Sequence, residues 1–278
     1  TSPVLYPVPR KFTLSPTKLR TYYSCPAKYR LEYVDKLGRI YRRPRAGFSF
    51  GASLHNVLEE LQAKGGATAV PLEQLTASLE TKWQSQGYQS AEQEEAYRLE
   101  AVRILESWHA AAQQAAVEAP PDAPPAATTL FTEKTLRQDL TSEIVLSGRV
   151  DRIDEHHDGA LEIVDYKSGR ETVEPEHVQR ALAMSIYQAL LHHLFPDRRV
   201  YATLVALRTG ASASHEQTPE EREELLAECQ ETGEKLMRTD WTAVLPVVNP
   251  HCDDCDFRPH CERHWRRFGG RDGDFGFD

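Results

Sequence analysis

Two aspartates and a lysine offer the most definite chemistry in this 278-residue sequence. Gly148-Arg149-Val150-Asp151-Arg152-Ile153-Asp154 alternates polar and apolar residues, which on a β-strand puts Asp151 on one face with Arg149 and Ile153. Apolar Leu161, Ile163 and Val164 then lead into Asp165-Tyr166-Lys167, where Asp165 and Lys167 share a face. Three polar groups can therefore converge at neighbouring strand ends. Phosphodiester hydrolysis uses such a set: carboxylates hold Mg²⁺ or Mn²⁺, and the metal polarises the phosphate and acidifies a bound water. The lysine then orients or deprotonates that water, or stabilises the pentavalent phosphate. By itself Asp-x-Lys is weak, since about one such tripeptide is expected by chance in a chain of this length, and a surface ion pair explains it. A carboxylate ending a buried strand is a different matter, because unpaired charge there is costly without a metal or partner. A second carboxylate ending the preceding strand makes a shared metal the better reading.

Cysteine spacing gives a second candidate centre. Of Cys25, Cys229, Cys252, Cys255 and Cys261, the last three form Cys-x2-Cys-x5-Cys, in a tail expected to carry little regular structure. Two thiolates of a tight turn can face one metal or cluster, and a third five residues on can close around it. A four-thiolate set alone does not separate zinc from a 4Fe-4S cluster, and His251, His260 and His264 lie near enough in sequence to serve zinc. The odd cysteine count argues against disulfides. So does the stretch Thr1 to Lys11, which has no basic-then-apolar leader pattern, so a reducing cytoplasm is the expected location. Cys229, on an expected helix, reads as an ordinary residue.

The elements that must position these groups are legible as changes of period. Ser15-Pro16 suits a helix start, with serine as N-cap and proline in the first turn; the helix runs toward Tyr33, kinked or interrupted at Pro26. Leu54, Val57, Leu58 and Leu61 give one apolar helical face, with His55 and Glu59 one turn apart beside it. Helices are expected over 72–87 and 91–118, the latter with a stripe of Leu99, Val102, Leu105 and Trp108. The proline-rich stretch 119–125 is an extended connector. Strands follow at 130–136, 143–153 and 160–166, the last two joined by a hairpin turn at Asp158-Gly159. A long helix from Pro175 to Phe195, a strand from Val200 to Leu207, a polar helix from Pro219 to Met237 and the cysteine-rich tail complete the chain. Strand, helix, strand implies a mixed sheet with a crossover. No internal repeat is evident.

Composition narrows the function classes. With hydrophobic residues at 40%, charged residues at 27% and no apolar run long enough to span a bilayer, a soluble enzyme without membrane contact is expected. A net charge of −9 argues against non-specific coating of nucleic acid, although Arg39, Arg42, Arg43 and Arg45, or Arg258, Arg263, Arg266, Arg267 and Arg271, could track a DNA backbone. No Gly-x-x-x-x-Gly-Lys-Ser/Thr loop is present, so any unwinding must come from a partner.

Asp151-Arg152-Ile153-Asp154 followed by Ile163-Val164-Asp165-Tyr166-Lys167-Ser168-Gly169 resembles the signature of RecB/AddB-type PD-(D/E)xK nucleases, and Gly51-Ala52-Ser53-Leu54-His55 resembles their histidine-bearing helix. The resemblance implies that His55, Asp151, Asp165 and the Tyr166 carbonyl bind metal and that Lys167 is catalytic. Tyr23-Ser24-Cys25-Pro26-Ala27-Lys28-Tyr29 resembles the segment that supplies a fourth cysteine in AddB-like nucleases, which implies a 4Fe-4S cluster on Cys25, Cys252, Cys255 and Cys261. The cluster would staple the tail to the first helix. Tyr187 fits the tyrosine of the family's Gln-x-x-x-Tyr, but four positions earlier stands Ala183. Either Gln179, a turn further upstream, substitutes from a longer reach, or the glutamine's role is lost. Tyr187, Gln179 and Arg152 are the implied substrate contacts.

The expected fold is α/β: a restriction-endonuclease-like mixed central sheet flanked by helices, with an N-terminal helical region and a C-terminal cysteine-rich tail. Residues 1–278 would form one nuclease domain, with a mainly helical part at 13–128, the catalytic sheet at 129–240 and the iron-sulfur tail at 241–278. The expected function is Mg²⁺- or Mn²⁺-dependent cleavage of single-stranded DNA from an end, in repair, recombination or CRISPR adaptation, with a helicase or another such protein as partner. The alternatives are a nuclease domain of an AddB-like helicase-nuclease, and a non-catalytic zinc- or iron-sulfur-stabilised nucleic-acid-binding module.

Overall fold

The computed structural model describes residues 11–170 and 172–267. In chain order its elements are β1 (Phe12–Leu14), α1 (Pro16–Ser24), α2 (Pro26–Tyr29), a π-helical turn (Arg30–Val34), α3 (Gly38–Tyr41), α4 (Ala46–Ala63), α5 (Leu72–Lys82), α6 (Ala91–Glu118), β2 (Thr128–Asp139), β3 (Ile144–Glu155), β4 (Leu161–Lys167), α7 (Pro175–Arg180), α8 (Leu182–Leu194), β5 (Val200–Ala206), β6 (Ser212–His215), α9 (Pro219–Arg238), a 3-10 turn (Pro250–Cys252) and α10 (Arg258–Arg267). Hydrogen bonding orders the strands β1-β3-β4-β5-β6, with β2 also paired to β3. The β1–β3 and β4–β5 pairs are parallel, and β3–β4 and β5–β6 antiparallel. This is the expected mixed sheet with flanking helices, six-stranded among the described residues. The chain clusters into two compact units.

The larger unit takes Arg43–Leu136 and Gly148–Arg222. Asp158 and Gly159 turn the chain from β3 to β4: Gly159 adopts φ +85°, and Asp158 Oδ1 accepts from the Ala160 N–H at 3.0 Å. The resulting register pairs Arg152 with Val164 and Glu155 with Leu161. On β4, the parallel neighbour β5 aligns Lys167 with Ala206. Helix α4 buries Phe50, Leu54, Val57, Leu58 and Leu61 in a cluster shared with α5, α6 and the β4 residues Val164 and Tyr166. That burial fixes how the His55 face of α4 is presented.

Three expectations for this unit are corrected. The long helix from Pro175 breaks at Ala181, whose ψ of 98° ends α7 before α8 begins; α7 packs on β5 and β6 while α8 packs on β4 and β5, which one straight rod would not satisfy. Helix α5 stops at Lys82 because Trp83 turns extended, stacking on Tyr88 and donating Nε1–H to Glu94 at 2.8 Å. On α6 Leu105 is buried and Val102 and Trp108 pack against the core as expected, but Ala101 and Ile104 complete the buried face and Leu99 is 49% exposed.

The smaller unit draws on the chain up to Arg42, on Arg137–Ser147 and on the residues from Glu223. Leu14 of β1 pairs with Leu146, and both are fully buried. Ser15 caps α1 through its Oγ, which accepts from the Lys18 N–H at 3.3 Å. The helix then breaks at Cys25, which is extended (φ −164°, ψ 112°) because a residue preceding proline is pushed out of the helical region. The tail is more regular than expected, with the 3-10 turn and α10 bracketing the cysteines. Residues 1–10 and Arg271 lie outside the described residues, as do the side chains of His264, Arg266 and Arg267.

Candidate active site

Asp165 arrives at the site on β4, a strand buried along almost its whole length, and is itself only 8% exposed. Its Oδ2 lies 2.5 Å from Lys167 Nζ but accepts no well-formed hydrogen bond. Burial pushes this carboxyl above its ordinary pKa; the lysine opposes the shift and nearby Asp151 adds to it. Asp151 moves the other way. Burial would raise it, but contacts with His55, the Tyr166 N–H and Lys167 outweigh that and hold it below the usual carboxylate range. Two neighbouring carboxyls thus differ in how readily they carry charge.

Asp151, His55 and Tyr166 form a closed set. His55 Nδ1 lies 3.2 Å from Asp151 Oδ2, and His55 Nε2 lies 3.0 Å from the Tyr166 carbonyl oxygen. The Tyr166 N–H in turn donates to Asp151 Oδ2 at 3.1 Å. Both ring nitrogens of His55 face acceptors, so although burial disfavours the charged ring, Asp151, Asp165 and the carbonyl raise its pKa. A proton on His55 and a divalent cation compete for the same surroundings. The donor set of imidazole, carboxylates and a backbone carbonyl fits Mg²⁺ or Mn²⁺.

The structure adds Glu133, which sequence reasoning does not single out. Glu133, His55 and Asp151 offer ligand atoms that all lie within 4.8 Å of one another. Glu133 sits within β2 at φ +50°, forms an ion pair with Arg149, and is pushed up in pKa by burial. In sequence it is one acidic residue in a β-type run with no motif around it.

The implied substrate contacts are engaged elsewhere. Arg152, one residue along β3 from Asp151, donates to the Tyr166 hydroxyl at 2.6 Å and pairs with Asp154 at 3.0 Å. Gln179 donates to Glu221 at 2.8 Å. Tyr187 packs over Gly148, where an added Cβ would meet the tyrosine ring at 2.6 Å.

In the smaller unit Cys25, Cys252, Cys255 and Cys261 line one cavity of about 30 Å³, together with Lys28, Asn249 and His251. The Lys28 N–H donates to Cys25 Sγ at 3.4 Å, and the Asn249 N–H to Cys252 Sγ at 3.4 Å. Asn249 also donates Nδ2–H to the Ser24 carbonyl at 3.2 Å, tying the 3-10 turn to the residue beside Cys25. Burial and then the other three thiols push Cys261 up to about 12, so its thiolate needs a cation. Cys229 lies apart, buried in α9, with its thiol pushed up to about 12 by burial. His260 stands edge-on to Tyr41, 5.7 Å between ring centres.

The sequence pattern that defines the PD-(D/E)XK nuclease superfamily matches residues 13–262, and the chain belongs to that superfamily. It is a nuclease with the mixed α/β fold of that class. Among solved structures, the "Putative exonuclease" from Eubacterium rectale superposes with a TM-score of 0.50 at 11% identity, covering 89% of this chain and 87% of its own. SSO0001 matches at a TM-score of 0.33 and 15% identity, covering 61% of this chain and 78% of its own, a likeness too slight to argue from. No curated protein matches. Among the described residues no helix is long and apolar enough to cross a membrane.

Proposed function

We propose that the chain is a Mg²⁺- or Mn²⁺-dependent deoxyribonuclease that degrades single-stranded DNA from an end. The observation that carries this reading is the convergence of His55, Asp151 Oδ2 and the Tyr166 carbonyl beside a buried Asp165 whose Oδ2 faces Lys167 Nζ. When bound, the metal would polarise the scissile phosphate and acidify water. His55, Asp151, Asp165 and the Tyr166 carbonyl hold it, and the adjacent Lys167 ammonium orients the attacking water and offsets charge growing on the phosphate. The preference for ends and single strands rests on the RecB/AddB-type motifs and on the exonuclease named for the structural neighbour. The chain acts as one nuclease domain in a reducing cytoplasm, in repair, recombination or CRISPR adaptation, on strands opened by a helicase partner.

The four cysteines hold a 4Fe-4S cluster in this reading. The support is the cysteine spacing, which resembles that of AddB-like nucleases, and the shared cavity: four thiols around one cavity suit a cluster in which each binds a different iron.

The deciding experiment incubates 5′- and 3′-labelled single and double strands with the protein and Mg²⁺ or Mn²⁺. Mononucleotides or short oligonucleotides released from single strands only with metal are expected. Absence of cleavage of any DNA with either metal would sink the reading.

A further inference from the structure

At the end of the sheet away from Asp165 and Lys167, α8, the turn into β5 and the start of α9 surround a cavity of about 150 Å³. The β4–β5 register places it. Val200, which lines the cavity, pairs with Leu161, whereas Asp165 pairs with Leu204, so four positions of strand, about 13 Å, separate the two levels. Gln188 and His192, one turn apart on α8, line it together with Arg198, Arg199, Gln217 and Arg222. Two buried amides are left incomplete here. Gln188, 2% exposed, accepts the Gln217 N–H through Oε1 at 2.9 Å. That bond fixes which way the amide faces, because a backbone N–H needs an oxygen opposite it, and Nε2 is the donor that remains. Among the described residues Gln188 Nε2 and Gln217 Oε1 have no hydrogen bond, although Gln217 is only 8% exposed. Buried polar groups are ordinarily paired, so an unpaired donor and an unpaired acceptor on residues lining one cavity point to a polar ligand.

The charged lining sets the sign of that ligand. Arg199 is answered by Glu216 at 2.8 Å and Arg198 by Glu155 at 2.6 Å, whereas Arg222 forms no ion pair among the described residues. His192 registers the excess: burial first, and then the Arg222 charge, lowers its pKa. Three arginines against the single carboxylate of Glu216 leave the lining positive. We propose that this cavity binds a small phosphomonoester anion, its phosphate on Arg222 and His192 and its remaining polar groups against Gln188 and Gln217. Inorganic phosphate and a nucleoside monophosphate share that chemistry. A nucleotide adds a base edge, which carries the acceptor and donor that the two amides lack. The site stands apart from the nuclease reading, which supplies only the reason for counting a nucleotide among the sources.

The test is titration calorimetry of the whole protein without divalent metal, with inorganic phosphate in one arm and deoxyadenosine 5′-monophosphate in the other. Wild type is expected to bind at least one of them at millimolar concentration or below. Arg222→Gln should weaken that binding by about tenfold or more, the usual loss for a charge-assisted hydrogen bond. Its melting temperature and its metal-dependent cleavage of labelled DNA should stay as in wild type. His192→Gln, on the other helix, should weaken binding several-fold, so the result does not hang on the folding of one variant. Lys167→Ala should bind as wild type does. Tighter binding of the nucleotide identifies nucleotide recognition, and equal or tighter binding of phosphate identifies the free anion as the source. No binding in either arm, unchanged binding by both Arg222→Gln and His192→Gln, or loss of binding in Lys167→Ala overturns the proposal. If wild type binds phosphate but cleaves no DNA, the nuclease reading falls and this site stands.

Discussion

The two candidate centres are assembled by different means. At the carboxylate site the backbone ladder does the positioning: β3–β4 pairing fixes Asp151 and Asp165, and the Tyr166 amide and carbonyl fix Asp151 and His55. Its side chains already engage one another, Asp151 with His55 and Asp165 with Lys167. At the cysteine site a broken helix, a 3-10 turn and the first turn of α10 bring up the thiols; the two N–H···S contacts of 3.4 Å are local to their segments, and the side-chain link between them is Asn249 Nδ2–H to the Ser24 carbonyl at 3.2 Å. One site is shaped by the sheet before anything binds. At the other, four half-buried thiols line a cavity, and burial pushes those of Cys255 and Cys261 up.

Several substitutions can break that contrast. The largest effect belongs to Lys167→Ala and Asp165→Ala, each expected to lower turnover on labelled single-stranded DNA by about a thousandfold, within the range for losing a proton-transfer or charge-stabilising group. DNA affinity should stay within a few-fold, and the melting temperature near that of wild type. A large melting shift would show that the carboxylate site is not independently shaped.

Cys25→Ala should do the reverse, with stability lost first and activity as a consequence. Cys25 and Cys252 are separated by more than two hundred residues, so a shared cluster closes nearly the whole chain into a loop. By the chain-entropy relation that applies to disulfides, that closure removes about 4–5 kcal/mol of unfolded-state entropy. Iron analysis and calorimetry check it: wild type purified without oxygen should be brown with about four irons per chain. Retained iron and melting temperature in the variant would move the fourth ligand elsewhere, with His251 next, since it lines the same cavity.

His55→Ala should reduce metal affinity by about 10–100-fold and be partly rescued by excess Mn²⁺. Its pH counterpart follows from sign. The His55 pKa is raised, so the metal-free ring holds its proton to a higher pH than free imidazole does. The Mn²⁺ concentration for half-maximal activity should therefore be constant above that raised value and climb as pH falls through it, by about tenfold per unit for one displaced proton. A flat profile down to about pH 5 would separate His55 from the metal. The smallest effect is Cys229→Ala, expected to leave iron content unchanged and cost about 1 kcal/mol, the usual size for a modest core change.

Local chemistry was legible in the sequence where one residue type forces one geometry. Ser15-Pro16 begins a helix, Asp158-Gly159 turns a hairpin, and the apolar run of Leu161, Ile163 and Val164 leads into Asp165 on a buried strand, all as found. Position decided by tertiary packing was not legible. Nothing in the local sequence told that α7 and α8 must lie on different strands, or that Leu99 would face outward. Glu133 is the sharpest case, since a left-handed residue inside β2 is set by its surroundings and leaves no period to read.

The tight turn between β3 and β4 also sets an order of assembly. Asp151 and Asp165 stand fourteen positions apart on one hairpin, a closure of the kind completed in about 1–10 μs. Asp151 and His55 are separated by 96 positions, and Cys25 and Cys252 by 227, so these contacts bear larger loop-closure costs and form later. The acids are thus apposed early in folding, the imidazole joins them when α4 docks, and the thiols meet last. Cofactor supply would then govern the final step of maturation and leave the first one untouched.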